Sequence, residues 1–575
     1  MKLVLRYVRP YSLRLGIGMS VKLLGTVIEL FIPYILAYII DEVTPKNDLR
    51  LVILWGFAML GCALVTFIAN VMANRSAAAV ARDTTENVRH DLFKKIIFLS
   101  NRQVDAYSIP SLISRMTTDT YNIHRMVGMM QRIGVRAPIM IIGGVIVTMI
   151  LDPALALVLL IVMPLLFGIV IFISKKSLPM FHKLQITMDK MVRVVRETAT
   201  GVRVIKALGR EEHEKERFRQ VNLQVVKDEN RANMTMALSN PIMNLLLNGG
   251  LVIMIIVGAY QVNSGASDVG KIIAFMTYFT VILQAIMGIT RVLTVLSQTI
   301  ASANRIDEIM QTEREMHTAE KDQKESEWHL EFDNVSFSYD KKAYDIRSID
   351  FGLKRGESLG VIGQTGAGKS TLAALMMRFY DIDEGAIRIA GEDICGMELE
   401  ELRAHFGVVF QNDAVFKNTI AGNIHMGREI SMQDIENATK IAQAESFIEE
   451  AGGFEHAVEA KGTNLSGGQK QRLLIARALA GRPDILILDD SSSALDYKTD
   501  ALLREGMRRE FSGITTVIVA QRVSSIKHCD KIMVLDEGAI LDLGSHDELM
   551  QSCDMYKEIY DLQMGNVEEV KISVG

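Results

Sequence analysis

Nine consecutive residues in the second half of the chain have the types and spacing that a phosphate chain requires. They follow the apolar residues 359–362 and lead into the helix-compatible residues 372–377, so a glycine-rich turn joins a strand to a helix. Glycines let backbone N–H groups close around phosphate oxygens, and the positive end of the helix points at them. Lys369 supplies a charge for the β and γ phosphates, and Ser370 a hydroxyl for Mg²⁺. The spacing predicts a nucleoside triphosphate site; the alternative is an ordinary glycine-rich turn. The run consists of Gly363, Gln364, Thr365, Gly366, Ala367, Gly368, Lys369, Ser370 and Thr371.

The length and composition of the chain indicate at least two domains, one of them in a membrane. A chain of 575 residues is too long for a single core. Apolar residues make up 49% of it while the charged fraction is an ordinary 23%, and the apolar residues are concentrated in the first 300 positions. The net charge of −5 is small for this size and gives no reason to expect nucleic acid as a partner.

Six segments of the first half are long and apolar enough to cross a bilayer, which needs about 20 such residues per helix. They cover residues 15–40, 51–72, 133–151, 154–173, 241–262 and 272–296. Lys and Arg crowd the two long connections, 73–132 and 174–240. By the positive-inside rule these connections and both termini are cytoplasmic. We therefore expect a multi-pass protein of the cell membrane, that is, a bacterial inner or plasma membrane, whose basic N-terminus precedes a retained helix and not a cleaved signal.

The long connections have helical periodicity, with apolar and charged residues alternating at helical spacing through 88–99 and again through 188–208. The membrane helices are therefore predicted to continue into the cytoplasm as stalks. Residues 109–119 and 197–206 supply the small, capping and glycine residues with which such stalks would turn. These two turns are the candidate contacts with the nucleotide domain.

Two ionisable residues interrupt the first apolar segment. Lys22 and Glu29 are seven residues apart, two helical turns, and so lie on one helix face. Ionisable groups in a membrane segment are costly and mark cavities or partners. They would line a polar cargo cavity, or Lys22 would snorkel while Glu29 meets a structural partner. The chain also has 32 methionines, whose adaptable side chains suit varied hydrophobic cargo as well as ordinary packing.

The four cysteines, Cys62, Cys395, Cys529 and Cys553, are scattered and form no C-x-x-C pair. This pattern indicates free thiols in a reducing compartment, with no zinc or redox function.

The second half of the chain reads as an α/β domain. A polar stretch at 311–328 marks the boundary, and residues 329–337 alternate as an edge strand would before Tyr339. Short apolar strands at 408–411, 485–488, 515–520 and 531–535 are separated by helical stretches, which predicts a doubly wound fold. The predicted organisation is an all-α six-helix transmembrane domain with cytoplasmic extensions at 1–310, a linker at 311–328, an α/β P-loop nucleotide-binding domain at 329–565 and a tail at 566–575.

Three further motifs carry a family resemblance. Residues 465–469 read Leu-Ser-Gly-Gly-Gln, residues 485–489 form an apolar strand ending in Asp489, and residues 493–496 read Ser-Ala-Leu-Asp. Together with the phosphate loop and Gln411 they resemble an ATP-binding cassette. With six membrane segments ahead of it, nearly the whole chain resembles an exporter half-transporter of that superfamily, of the multidrug or lipid exporter type. Residues 114–119 and 201–211 resemble the two intracellular coupling segments of the family.

The resemblance implies roles for the matching residues. Tyr339 would stack on adenine. Asp489 would hold Mg²⁺ together with Ser370 and Gln411, and Gln411 would sense the γ-phosphate. Two cassettes of this family sandwich two ATP molecules, so each signature faces the nucleotide bound to the partner's phosphate loop. The residues expected to reach the partner-bound ATP are Ser466, Gly467, Gly468 and Gln469, and Asp496 completes the motif after the Mg²⁺ aspartate.

Two positions depart from the family pattern. Asp490 stands where the family has the glutamate that orients or activates water, and Gln521 replaces the switch histidine. A carboxylate shortened by one methylene is withdrawn from the water, and a misplacement of about 1 Å costs on the order of 10²-fold in rate. Gln521 can hydrogen-bond a phosphate but cannot carry a proton through a cycle. Residues 458–462 also read Val-Glu-Ala-Lys-Gly where the family more often has Val-Gly-Glu-Arg-Gly.

These departures predict that the chain's own loop binds ATP but hydrolyses it poorly, while its intact signature serves a competent site on another chain. This asymmetry resembles one subunit of a heterodimeric exporter whose partner supplies the catalytic Glu and the switch His. The alternatives are a homodimer with slow ATPase activity and an ATP-gated channel or regulatory subunit. Six apolar segments argue against a soluble DNA-repair cassette protein, and the fusion of both domains argues against an importer. The cargo, whether a drug, a lipid or a peptide, stays open.

Overall fold

A computed structural model gives the fold of residues 1–313, 323–411, 414–491, 495–511 and 513–572. Its residues form two compact units: Met1–Ile97 with Ile109–Thr312, and Phe98–Ser108 with Glu313–Gly575. Half of the predicted linker, residues 314–322, together with Ser493 and Ala494 of the Ser-Ala-Leu-Asp motif, lies outside the described residues.

Long helices build the first unit. The helices up to Gln311, of which α4 belongs to the second unit, are α1 Lys2–Val8, α2 Ser12–Tyr38, α3 Leu49–Ile97, α4 Asn101–Tyr107, α5 Ile109–Ser114, α6 Thr120–Met129, α7 Val135–Leu151, α8 Pro153–Thr200, α9 Val202–Ala207, α10 Glu211–Ala237, α11 Ser239–Asn263 and α12 Val269–Gln311. Helix α3 has 49 residues, α8 has 48 and α12 has 43. At 1.5 Å per residue α3 is about 70 Å long, more than twice the roughly 30 Å hydrocarbon core of a bilayer. Helix α3 thus extends well beyond a membrane span, as expected of a stalk, while the side of the membrane on which it extends stays a prediction.

Five helical stretches of the described chain are long and apolar enough to cross a membrane, which confirms a helical transmembrane domain. They are Lys2–Lys46, Leu49–Ile97, Ile109–Leu151, Asn244–Asn263 and Val269–Gln311. The remaining predicted span, 154–173, begins in the shorter apolar stretch Pro153–Leu165 of α8. Large apolar side chains such as Phe57 and Phe172 are exposed on these helices, as expected of surfaces that face lipid.

The two predicted turns have different outcomes. At the second, α8 ends at Thr200, and Gly209 adopts a φ of +60° before α10 packs back along α8. The first turn was predicted at 109–119, but helix α3 ends at Ile97 and the intervening residues 98–108 belong to the second unit. Residues 109–119 instead continue a helical path within the first unit, as α5 followed by a π-helical turn.

Residues 114–119, which resembled a coupling segment, pack inside the first unit. Asp119 is 1% exposed and accepts hydrogen bonds from Ser302 Oγ and Arg305 Nε on α12, both at 2.8 Å. Arg115 Nη1 donates to Glu308 Oε2 at 2.9 Å. These contacts join the π-helical turn to α12; the assignment of residues 114–119 as a coupling segment stays a prediction.

The second unit contains the predicted α/β domain. Its strands are β1 Leu330–Phe337, β2 Ile346–Leu353, β3 Ser358–Gly363, β4 Glu384–Ile389, β5 Glu392–Asp393, β6 Phe406–Val409, β7 Asn418–Thr419, β8 Ala457–Val458, β9 Ile485–Asp489, β10 Thr515–Val519, β11 Lys531–Asp536 and β12 Ala539–Gly544. Its remaining helices are α13 Lys369–Met376, α14 Leu399–Ala404, α15 Ile420–His425, α16 Met432–Ile441, α17 Glu445–Glu450, α18 Gly467–Ala480, α19 Tyr497–Glu510, α20 Val523–Ile526, α21 His546–Ser552 and α22 Asp554–Ile572.

A six-stranded sheet, ordered β12-β11-β3-β10-β9-β6, forms the centre of the unit and is parallel except for β12. Both faces of its strand β9 are buried: Ile485 and Ile487 join one apolar core, while Leu486 and Leu488 join the other. This is why the strand reads as a continuous apolar run.

The prediction of an edge strand at 329–337 is wrong. Strand β1 lies inside a separate antiparallel sheet, ordered β2-β1-β4-β5, and pairs on both sides. Alternating polarity only indicates that the two faces of a strand differ, and an internal strand of a sheet meets that condition as well as an edge strand does.

Candidate nucleotide-binding site

The parallel strands β3, β10, β9 and β6 are neighbours, so their carboxyl ends meet at one edge of the central sheet. Ligands of open α/β sheets bind at such an edge. A cleft there brings together the phosphate loop and all the predicted switch and Mg²⁺ residues. Its lining is Asp345, Thr365, Gly366, Gly368, Lys369, Ser370, Thr371, Gln411, Asp489, Asp490, Val519, Ala520 and Gln521.

The phosphate loop has the conformation that its glycines permit. Gly366 and Gly368 adopt φ values of +90° and +95°, which L side chains rarely take. A Cβ on Gly368 would also lie 2.6 Å from Ile346 Cδ1. Lys369 Nζ donates to the carbonyl oxygens of Gly363 and Gln364, both at 2.8 Å. Burial lowers the pKa of the Lys369 ammonium, although the carboxylates of Asp489 and Asp490 oppose the shift.

The residues predicted to hold Mg²⁺ fit that ion. Asp489 ends β9, is 5% exposed and hydrogen-bonds the Ser370 hydroxyl, and burial raises the pKa of its carboxyl group. With the amide of Gln411 these are hard oxygen donors, which Mg²⁺ prefers. The described residues contain no group of three or more His, Cys, Asp or Glu side chains that could enclose a metal ion by themselves.

Asp490 has a strained backbone and two amide neighbours. Its φ is +51°, in the left-handed region, and its N–H donates to Val519 O at 2.8 Å. Its Oδ2 atom lies 3.4 Å from Nε2 of Gln411 and 3.4 Å from Nε2 of Gln521. These are long hydrogen bonds, but both donors point at the same carboxylate oxygen. Asp490 therefore faces side chains that donate to it, and neither of them can accept its proton.

Tyr339 lies beside the phosphate loop. Its side chain is partly exposed, its hydroxyl donates to Thr371 Oγ1 at 3.2 Å and its N–H donates to Asp345 Oδ2 at 2.9 Å. Its ring meets the ring of Tyr380 edge-on, with 5.0 Å between centroids. An accessible aromatic ring in this position suits the predicted stacking on adenine.

The signature residues lie elsewhere. Ser466 caps α18: its Oγ accepts from the N–H of Gln469 at 3.2 Å, while Gln469 Oε1 accepts from the N–H of Ser466 at 2.8 Å. This capping box leaves Gly467 and Gly468 in the first turn of the helix. Asp496 caps α19 in a similar way, accepting from the N–H of Thr499 at 2.9 Å. None of these residues is among the described residues that line the phosphate cleft.

Helix α4 was missed by the sequence reasoning. Within the second unit, Arg102 Nη2 donates to Ser338 O at 3.3 Å and to Tyr339 O at 3.4 Å, and Tyr380 Oη donates to Asp105 Oδ2 at 2.8 Å. The helix thus binds the segment that carries Tyr339 through these hydrogen bonds. A sequence signal existed: Ser100 and Gln103 form a capping box directly after an apolar run.

The fold and the site together define an ATP-binding cassette joined to a helical membrane domain. Residues 15–287 match the family "ABC transporter transmembrane region" and residues 346–493 match the family "ABC transporter". The chain belongs to the ABC transporter family, and its architecture is that of an ABC exporter.

The similar proteins include chains of nearly the same length and one longer protein. The "Uncharacterized ABC transporter ATP-binding protein YfiB" of Bacillus subtilis is 34% identical over 98% of this chain and 99% of its own length. The "Multidrug efflux ATP-binding/permease protein Rv0194" of Mycobacterium tuberculosis is 30% identical over 96% of this chain, which matches 46% of that longer protein. A bacterial Atm1-family ABC exporter with ATP bound has the same fold, with a TM-score of 0.81 at 24% identity, over 96% of this chain and 98% of that one.

Proposed function

We propose that this chain is the hydrolytically impaired half of a heterodimeric ABC exporter. The ATP-driven export that the family performs would then need a second half-transporter, which supplies the catalytic Glu and the switch His. This chain's signature would complete the ATP site at the phosphate loop of that second half-transporter. In this proposal the second unit and both termini lie in the cytoplasm. The reason is that the basic residues of 73–132 and 174–240 place these two connections, and with them both termini, on the cytoplasmic side by the positive-inside rule.

The observation that supports the proposal is the environment of Asp490. Its short carboxylate lies 3.4 Å from the amide nitrogens of Gln411 and Gln521, and both are donors. A general base needs a free carboxylate oxygen within about 3 Å of the water it activates. Asp490 has one methylene fewer for that reach, and Gln521 offers no site for a proton.

The remaining residues of the cleft are suited to binding. The loop glycines and Lys369 would hold the phosphates, and Tyr339 would hold the adenine. Ser370, Asp489 and Gln411 would hold Mg²⁺, which supplies charge neutralisation between the β and γ phosphates when bound. ATP would favour the closed pair of cassettes because it contacts the phosphate loop of one chain and the signature of the other, and only such differential affinity can drive alternating access.

The test is to purify this chain alone and together with a half-transporter that carries Glu and His at the two positions altered here. We expect the chain alone to bind ATP with little hydrolysis, and the pair to hydrolyse ATP at least ten times faster per cassette. Robust ATPase activity and transport by the chain alone would instead establish a homodimer. ATP-dependent conductance without cargo-stimulated hydrolysis would establish a channel or a regulatory subunit.

A further inference from the structure

A cavity in the first unit is lined by an unusual concentration of positive charge. It is enclosed by helices α2, α3, α7 and α12, together with Arg132 and Ile133 between α6 and α7. Its charged and polar lining residues are Lys22, Asn74, Arg132, Arg136, Gln284 and Arg291. Cations in membrane segments are rare, and those present line cavities or ion pathways or meet a partner.

The charge in this cavity is poorly balanced within the described part of the chain. Only Arg136 has a carboxylate partner there, since its Nη2 donates to Glu29 Oε1 at 2.7 Å. Lys22 is 5% exposed, and its Nζ donates to the neutral Asn70 Oδ1 at 2.5 Å. Arg132 donates to the carbonyl oxygen of Gly128, and no carboxylate lies within 4 Å of Arg132 or Arg291 in the described residues. The cavity therefore carries a surplus of positive charge that an anion would neutralise.

The cavity lies near one end of the membrane segments. Arg132 directly precedes the apolar residues 133–151, and all the cations line the same space. This end is the one from which α2 enters, because Lys22 lies in the N-terminal half of α2. Basic pockets between membrane helices at the cytoplasmic boundary are suited to anionic lipid headgroups.

An apolar groove also lies between α2 and α7. Leu30, next to Glu29 in the chain, and Pro138, two residues after Arg136, line it, so the groove is close in sequence to the Glu29–Arg136 pair. Its other lining residues include Phe31, Tyr34, Ile142 and Ile146. Its space of about 630 Å³ falls within the size range of ligand pockets.

We propose that the cavity and the groove together bind an anionic membrane lipid, with its phosphate headgroup among Lys22, Arg132, Arg136 and Arg291 and an acyl chain along α2 and α7. Arg side chains bind phosphate through paired N–H donors, and the groove offers an acyl chain an apolar surface of matching character. If the proposed export function holds, such a lipid is also the substrate class of the exporter.

The test measures lipid binding to the full chain in phosphatidylcholine nanodiscs without nucleotide. Fluorescent phosphatidylglycerol and phosphatidylcholine with identical acyl chains serve as probes. We expect phosphatidylglycerol to bind about tenfold more tightly, and raised salt to reduce the difference by screening. The R132Q/R291Q double variant should lose the preference, while R50Q, at the start of α3 and outside the cavity, should retain it. Both arginines of the double variant are exposed, so their replacement should leave folding intact.

A second pair of variants tests the groove. Ile146→Trp fills it and should weaken phosphatidylglycerol binding several-fold, whereas Ile161→Trp, also exposed, on α8 and outside the groove, should not. Equal binding of the two lipids, or full displacement of phosphatidylglycerol by inorganic phosphate, would overturn the proposal. Since binding is measured without ATP, its failure is separate from failure of the ATPase test. A preference for phosphatidylglycerol without ATP-driven movement of that lipid in vesicles would overturn its assignment as substrate.

Discussion

Under the proposed function, Asp490 differs from the glutamate of a competent site by one methylene, and we expect the surrounding geometry to increase the effect of that difference. The left-handed backbone at φ +51° aims the short side chain toward Gln411 and Gln521. Aspartate tolerates this conformation better than most residues, since its short polar side chain can hydrogen-bond locally. On the proposed function, the site keeps the groups that bind phosphate and lacks a well-placed base.

Restoring both side chains should restore hydrolysis. We expect the double variant D490E/Q521H of the chain purified alone, in which two copies supply intact signatures, to hydrolyse ATP up to about 10²-fold faster than the unmodified chain. The reason is that the longer carboxylate reaches the water and the imidazole can exchange a proton. The matched control is D490N, which should stay at the low rate of the unmodified chain. An unmodified chain as fast as the double variant would contradict this account of the site.

At the scale of elements, strand ends were predictable and short helices were not. The phosphate loop, Gln411, Asp489 and Gln521 could be located from sequence because each lies at or just after the end of an apolar strand, and parallel strands deliver their ends to one edge. Helix α4 has only seven residues and a polar composition, so its pattern gave no clear period. Residues 109–119 were predicted to form a turn, yet Pro110 occupies the first turn of α5, where its missing N–H costs nothing.

The link between α4 and the adenine-side segment gives a prediction at this scale. Asp105→Ala removes the acceptor of the Tyr380 hydroxyl, and Tyr380→Phe removes the donor. Each change should weaken cargo-stimulated ATPase activity to a similar extent while leaving ATP affinity within about twofold, because α4 lies in the chain between two segments of the membrane unit. The measurement is ATPase activity with and without cargo in lipid vesicles.

The same experiment contains its own controls. The D105A/Y380F double variant should lose no more cargo-stimulated ATPase activity than either single variant, since the same hydrogen bond is lost in all three. Asp350→Ala, an exposed carboxylate of β2 far along the chain from α4, should have no effect. Additive losses in the double variant would show that the two side chains act separately.

At the scale of the whole molecule, the signature and the phosphate cleft of one chain are separate places. Ser466 and Gln469 cap α18 and do not line the described phosphate cleft, so neither needs the other for its local structure. This separation permits one chain to bind ATP at its own loop while its signature serves a partner.

A prediction at this scale compares two inactivating changes in the assembled exporter. Ser466→Arg should reduce ATP turnover by more than tenfold, since it obstructs the competent site, whereas Asp490→Asn should change turnover less than twofold. Steady-state ATPase assays of the co-purified pair provide the measurement, with ATP binding to each variant as the control for folding. The reverse order of effects would place the competent site on this chain's own phosphate loop.

The assignment of residues 98–108 to the second unit has a practical consequence for dissecting the protein. A fragment that starts at Glu313 would lack a piece of its own surface, and the segment around Ser338, Tyr339 and Tyr380 would meet water where α4 belongs. Affinities measured on such a fragment would describe a domain with a loosened adenine side. To recover the native cassette, residues 98–108 would have to be supplied as a synthetic peptide or fused to the fragment.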